Sequence, residues 1–111
     1  MELLERYVAA LLNKSASEIA ELFDETAKYD DYNQTGAFST ETHLFGKVAI
    51  DMYFSNRFVF HTYGVTSGNV IDDRTAEITF TVGEKEKTAK VILGNITADG
   101  KIAKLTIMKA E

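Results

Sequence analysis

The sequence of 111 residues contains no cysteine, no proline and no tryptophan. The absence of cysteine excludes disulfides, thiolate metal ligands and a cysteine nucleophile. The absence of proline excludes slow X-Pro isomerisation and polyproline segments, and it removes the commonest signal that ends a helix. Any catalytic chemistry is therefore left to carboxylate, phenol, amide and imidazole side chains.

The charge balance excludes several classes of partner. Seventeen acidic residues outnumber twelve lysines and arginines, so the formal net charge is −5 at pH 7. Such a chain lacks the basic face expected for binding nucleic acid or an anionic membrane surface. It also has no apolar run of the roughly 18 residues that a membrane span requires. The first residues open directly into an acidic helical pattern, unlike a signal peptide. We expect a cytoplasmic protein with no nucleic-acid partner and no membrane partner.

The length fits one domain over residues 1–111, and apolar spacing predicts its first half. A helix is expected over residues 3–12, followed by a short helix that Ser15 caps. Residues 26–32 predict a strand, and residues 37–43 could pair back on it as a ragged second strand. A third helix is expected over residues 47–57. One broad face of this helix is shared by Val48, Ala49, Met52, Tyr53 and Asn56.

The second half of the chain changes to the period of β-strands. Four long strands are expected over residues 58–66, 74–82, 87–97 and 101–109. The alternation from Thr75 to Val82 is typical of a strand with one buried face. Short turns, with Asp99-Gly100 the strongest signal, make these strands sequential and antiparallel. Helices segregated from an antiparallel sheet give an α+β domain, and three helices on a strongly curved sheet would form a cone that encloses an apolar pocket.

Few residues can carry chemistry, which narrows the candidate functions. The two histidines have no partners at metal-ligand spacing, so no metal site is expected. No glycine-rich phosphate loop follows a strand, so no nucleotide cofactor is expected either. No serine nucleophile elbow is present, so serine-based acyl transfer is not supported. A buried aspartate and a nearby tyrosine can still act as a general base and an oxyanion donor. Tyr7, on the buried stripe of the first helix, and Asp31, on the Ala27-Tyr29-Asp31 face of the first strand, could fill these roles. The alternative is that Tyr7 is an ordinary core residue and Asp31 an ordinary turn residue.

Three segments resemble the bacterial ketosteroid isomerases. Residues 6–11 resemble the first helix of that family, residues 22–31 resemble the segment leading to its catalytic aspartate, and residues 50–56 resemble its third helix. The similarity covers roughly the first sixty residues and reaches the sheet only as a pattern. It implies the cone-shaped, cystatin-like fold that ketosteroid isomerases share with nuclear transport factor 2 and many small polyketide cyclases.

The resemblance also implies roles for individual residues. Tyr7 matches the family's oxyanion tyrosine, and Asp31 matches its proton-shuttling base. The second oxyanion donor of the family, a protonated aspartate, has no aspartate counterpart here. Counting forward from Lys87-Thr88, the place of that aspartate falls on Gly94. The alternation Ala89, Val91, Leu93, Asn95 suggests instead that Asn95 faces the pocket, where its amide can donate a hydrogen bond. The expected pocket lining includes Phe54, His61 and Leu93, with Phe54 where the family often has a tyrosine.

Two kinds of function follow as expectations. In the first, the chain binds a small apolar carbonyl compound and acts as a cofactor-independent isomerase, cyclase or dehydratase. In the second, it is a non-catalytic module of the same fold, used for ligand binding or for dimerisation. A homodimer through the sheet is expected in either case. The contact is expected to use the wetter face of the long strands, which carries Glu77, Thr79, Thr81 and Lys90.

Overall fold

The computed structural model describes residues 2–32, 41–59, 64–82 and 85–110. Within them, helices and strands follow one another in an order close to the predicted one. The elements are α1 (Glu2–Leu12), α2 (Ala16–Glu21), β1 (Phe23–Asp31), β2 (Thr42–Phe45), α3 (Lys47–Val59), β3 (Val65–Val70), β4 (Thr75–Val82), β5 (Lys85–Ile96) and β6 (Ile102–Lys109).

The strands form one curved sheet in the order β2-β1-β6-β5-β4-β3. The meander from β3 to β6 is antiparallel and sequential, as predicted. The strand β1 pairs parallel with β6 and antiparallel with β2, so an early strand lies inside the sheet. Register shifts interrupt β1, β3 and β5. Such irregularities bend strands and increase their twist, which explains how the sheet curves around the helices.

The helices pack on the sheet through apolar faces. In α1 the buried residues are Leu4, Tyr7, Val8, Ala10 and Leu11, while Leu12 is exposed. The hydroxyl of Ser15 accepts a hydrogen bond from the Glu18 N–H, which confirms the cap of α2. The N–H of Ser15 donates to the carbonyl of Ala10. The structure therefore confirms the Ser15 cap and joins α1 to α2 through the same residue.

The broad face that the sequence pattern singled out in α3 is not the face that is buried. Ile50 and Phe54 are fully buried, whereas Val48 and Met52 are among the most exposed apolar side chains. Tyr53 is partly buried and packs against the hydrophobic core. Both faces of this helix carry apolar residues, so periodicity alone could not select the face that meets the sheet.

The helix α3 also extends further than predicted. Phe58 and Val59 belong to it, and β3 starts only at Val65. Aromatic and β-branched residues favour strands, but here the Phe58 ring lies 5.8 Å from the Phe54 ring and continues the packed helical face. The strand β1 begins at Phe23, three residues earlier than predicted. Residues 33–40, which include the first part of the strand predicted over residues 37–43, lie outside the described residues.

A close approach between Gly68 and Val8 fixes α1 against β3. A Cβ atom placed on Gly68 would lie only 2.5 Å from Cγ1 of Val8. We expect Gly68→Ala to lower the free energy of unfolding by about 1–3 kcal/mol, because the added methyl overpacks a contact beside a stiff β-branched side chain. Urea denaturation measures the loss. Val8→Ala in the same chain should recover part of it, and an unchanged midpoint in Gly68→Ala would contradict the close approach.

Candidate functional site

Two adjacent aspartates at the end of β1 have opposite environments. Asp31 is fully buried, and it is the only charged residue among the described ones to be so. Asp30 points to the other face, where its carboxylate lies 2.8 Å from Nδ1 of His43. Successive side chains of a strand point to opposite faces, so the pleat of β1 separates the two carboxylates. The predicted inward face of Ala27, Tyr29 and Asp31 is confirmed.

The backbone around Asp31 is held on both sides. Asp31 is paired with Thr42 of β2 and with Ile107 of β6. The next residue, Tyr32, donates its N–H to the carbonyl of Ile107 at 2.8 Å. A one-residue slip would exchange the two faces of β1, and pairing with two neighbours opposes it. The pairing of β1 with a strand on each side therefore fixes the position of the Asp31 carboxylate.

Two residues of α3 lie at this end of the sheet. The guanidinium carbon of Arg57 is 4.8 Å from the centre of the Tyr53 ring, one helical turn away. Burial raises the pKa of the Tyr53 phenol, the nearby Arg57 guanidinium opposes that rise, and the negative charge of Asp31 adds to it. The phenol also lies near Thr42, the cross-strand partner of Asp31. Tyr53 is thus close enough to both charged groups for each of them to affect its pKa. Like any phenol, it is a neutral hydrogen-bond donor near pH 7.

Aromatic rings connect α1 to this region. The ring of Tyr7 lies 6.3 Å from Phe23, and Phe23 lies 6.4 Å from Tyr29. Tyr29 in turn contacts Phe54 at 5.5 Å and Tyr53 at 6.0 Å. The hydroxyl oxygens of the three tyrosines are buried. Asp31 is buried on the same face of β1 as Tyr29, two residues along the strand, and electrostatic interactions are stronger in a buried environment than in water.

The structure buries several of the predicted site residues. Tyr7, Asp31 and Phe54 are fully buried, and the ring of Phe54 lies directly against Tyr29. Leu93 is buried on the inner face of β5, where it is paired with Leu105 of β6. His61 lies outside the described residues.

The expectation that Asn95 faces the pocket is wrong. The buried alternation of β5 ends at Leu93, and Gly94, Asn95 and Ile96 are all exposed. The register against β6 shifts on both sides of Asn95. Arg74 donates from Nη1 to the carbonyl of Gly94 at 2.7 Å and so supports the irregular backbone there. An alternation holds only while the ladder is regular, and this irregularity turns Asn95 outward.

Sequence reasoning missed Tyr53 and Arg57 as site residues. The sequence pattern placed Tyr53 on a broad face of the third helix, and it gave no reason to single out Arg57. The signal that could have found them is their spacing of four along a helix, which brings an arginine over an aromatic ring. That signal predicts a pair but not its location beside Asp31, which depends on how α3 docks on β1 and β2.

The described residues offer little for a metal or a membrane. Among them, no three histidine, aspartate or glutamate side chains gather closely enough to hold a metal ion. No helix in the described ranges is long and apolar enough to cross a membrane.

Comparison with known proteins places this geometry within a known fold. No protein-family model matches the chain, and no curated protein matches it by sequence. Among solved structures, an NTF-2 like protein of unknown function from Burkholderia xenovorans has a TM-score of 0.69 at 13% identity, covering 99% of this chain and 82% of its own. A candidate ketosteroid isomerase from Kribbella flavida has a TM-score of 0.68 at 18% identity, covering 99% and 76%. A candidate polyketide cyclase from Sinorhizobium meliloti has a TM-score of 0.64 at 18% identity, covering 97% and 94%.

These similarities confirm the predicted fold. The chain has the fold of the NTF2-like and ketosteroid isomerase-like proteins, with helices packed on a curved, mainly antiparallel sheet. At such low identity the likeness is one of architecture, and function has to be argued from the residues of this chain.

The outer-face histidine beside the site gives a test by pH. Hydrogen bonds that His43 donates to the carboxylate of Asp30 and, to a smaller extent, to that of Glu41 raise the pKa of His43. We expect NMR titration to give a pKa above the ordinary value of about 6.5, and Asp30→Asn to lower it more than Glu41→Gln does. Because the folded pKa is raised, the pair stabilises the fold at acid pH, and this contribution is lost as the pH rises through the folded pKa. A titration of His43 unchanged by Asp30→Asn would contradict the pairing.

Proposed function

We propose that this protein binds a small apolar carbonyl compound and moves a proton on the carbon next to its carbonyl group, as an isomerase or cyclase. The observation that carries the proposal is the carboxylate of Asp31, fully buried on the inner face of β1 beside an aromatic interior. A charged group is costly to bury, so a carboxylate that is buried in the core of a fold marks a candidate functional residue.

The proposed step needs only a base and a hydrogen-bond donor. The Asp31 carboxylate takes the proton from the α-carbon, the electron pair of that C–H bond forms the enolate double bond, and the carbonyl π pair moves to oxygen. With a β,γ-unsaturated ketone, the carboxylic acid then returns the proton to the γ-carbon and the conjugated ketone is formed. The proton stays within the site, so the overall change is an isomerisation and consumes no oxidant or reductant.

The developing oxyanion requires a neutral donor close by. The resemblance assigns this role to Tyr7, whose hydroxyl is buried. Tyr53 is a second candidate, because its phenol is close enough to Asp31 for the charge of that residue to affect its pKa, and a phenol is a neutral donor at pH 7. A preorganised donor in an apolar site stabilises an oxyanion more than water does. The proposal thus uses Asp31 as base, Tyr7 as oxyanion donor and Tyr53 as a supporting donor.

A second candidate function is a non-catalytic module of the same fold, for ligand binding or for pairing of two copies through the sheet. The observation that favours it is the chain of aromatic contacts from Tyr7 to Phe54, which fills the described interior with side chains. In this alternative the interior supports the fold, and the outer face of β4 and β5 provides the contact with a second copy.

Asp31→Asn tests the proposed base, with Asp30→Asn as a matched control on the outer face. The probe is a decalin-based β,γ-unsaturated ketone, whose conversion to the conjugated ketone is followed by ultraviolet absorbance. We expect Asp31→Asn to slow the reaction by about 10²–10⁴-fold, because an amide cannot accept the proton. Tyr7→Phe should slow it by about 10²-fold through loss of an oxyanion donor. Asp30→Asn should keep the wild-type rate.

Equal rates in the two aspartate variants would contradict the role of Asp31. A wild-type protein that binds the ketone but neither isomerises it nor exchanges its α-protons in D₂O would overturn the catalytic proposal and support the module. Dispersed NMR spectra of both variants would show that each one folds.

A further inference from the structure

A cleft opens between α1, α2 and the turn before β6, at the opposite end of β1 from Asp31. Its volume is about 510 Å³, which lies within the range of about 300–1,000 Å³ that small-molecule sites usually have. Leu22 lines the cleft and directly precedes β1, whereas Asp31 ends that strand. The nine residues of β1 span roughly 26 Å at about 3.3 Å per residue, so a molecule in this cleft would lie far from Asp31.

Side chains of both charge signs line this cleft. Arg6 of α1 and Lys101, just before β6, provide two cations. Glu18 and Glu21 of α2 provide two carboxylates. Over the ranges of the chain that the structure describes, none of these four side chains forms an ion pair with another of them, and Glu21 pairs instead with Lys47 of α3 at 3.4 Å. The opposite charges therefore border one space and leave room between them.

The ammonium group of Lys101 is held in place before any ligand arrives. Its Nζ atom donates a hydrogen bond to the backbone carbonyl of Glu21, at the end of α2, over 2.8 Å. Because that carbonyl is uncharged, the bond positions the ammonium group without cancelling its charge. An ammonium group has three N–H groups, so two more can donate to a ligand. The next residue, Ile102, donates its N–H to the carbonyl of Leu22 at 2.8 Å, which fixes the backbone beside Lys101.

The rest of the lining is apolar, and its walls are joined to each other. Ala9, Ala10 and Leu22 provide the apolar surface, and the small alanine side chains leave space for a ligand. The N–H of Ser15 donates to the carbonyl of Ala10 at 3.0 Å and so joins α1 to α2. A ligand would therefore meet a surface that already has its shape, and such preorganisation lowers the entropy cost of binding.

We propose that this cleft binds a free amino acid with an apolar side chain. The carboxylate of the ligand accepts hydrogen bonds from Lys101 and Arg6, and its ammonium group donates to the carboxylate of Glu18. Such bonds between charged groups are roughly twice as strong as bonds between neutral ones. A ligand with only a negative charge would be repelled by Glu18, and a ligand with only a positive charge by Lys101. This site is separate from the one at Asp31, so neither proposal depends on the other.

The experiment is an NMR titration of the whole chain at pH 7 with three ligands that share one carbon skeleton. L-leucine is the zwitterionic probe, 4-methylpentanoate lacks its ammonium group, and 3-methylbutylamine lacks its carboxylate. We expect L-leucine to bind about tenfold more tightly than either of the other two, because each charged end adds hydrogen bonds to a charged group. The largest shifts should fall on backbone amides of α1, α2 and the turn before β6.

Single substitutions assign each end of the ligand. Glu18→Gln should remove the advantage of L-leucine over 4-methylpentanoate. Lys101→Gln should weaken the binding of L-leucine and leave that of 3-methylbutylamine unchanged or tighter. Lys104→Gln is the matched control, because Lys104 is exposed on β6 and does not line the cleft. That variant should bind L-leucine as the wild-type protein does.

Equal affinity of the wild-type protein for L-leucine and for either shortened ligand would overturn the proposal, and this comparison requires no variant to fold. An absence of shifts around the cleft would overturn it as well. Asp31→Asn should leave the binding of L-leucine unchanged. Loss of binding in Asp31→Asn, with dispersed NMR spectra, would instead locate the ligand at the other end of β1 and contradict the assignment to this cleft.

Discussion

The pleat of β1 decides which of two adjacent carboxylates is buried, and the rest of the site depends on that choice. The strand is hydrogen-bonded to β2 on one side and to β6 on the other, so its register is fixed by the sheet. Asp31 faces the helices and Asp30 faces outward to His43. A shift of one residue would exchange the two environments and would also turn Tyr29 out of the core.

The burial of Asp31 places a demand on its surroundings. Removing a carboxylate from water costs several kcal/mol even after the protein relaxes. The apolar rings of Tyr29 and Phe54 cannot offset that cost, so polar groups at this end of the core must do so. Tyr53, with Arg57 beside it, provides a phenol that interacts with the Asp31 charge. Burial of the Asp31 carboxylate is unfavourable for the stability of the fold, but the same burial suits proton abstraction in an apolar site.

Much of the fold follows from local patterns, because those patterns reflect burial directly. The stripe of α1, the Ser15 cap and the alternation of β4 all predicted what the structure has. The inward orientation of Asp31 followed from the alternation of side chains along β1. The patterns failed where the outcome depends on tertiary packing. Both faces of α3 are apolar, so only docking on the sheet selects Ile50 over Val48. The turned-out Asn95 depends on an irregular ladder with β6, which β5 alone does not encode.

The central claim is that the Asp31 carboxylate faces a site that admits an apolar carbonyl compound. A crystal structure with a bound enolate mimic, 4-phenylphenol, tests it most directly. The account predicts that the phenol lies inside the fold, its ring against Tyr29 or Phe54 and its oxygen within about 3 Å of a tyrosine hydroxyl or the Asp31 carboxylate, which is hydrogen-bond reach. A phenol found only on the outer surface, with the aromatic rings of the interior unmoved, would contradict it.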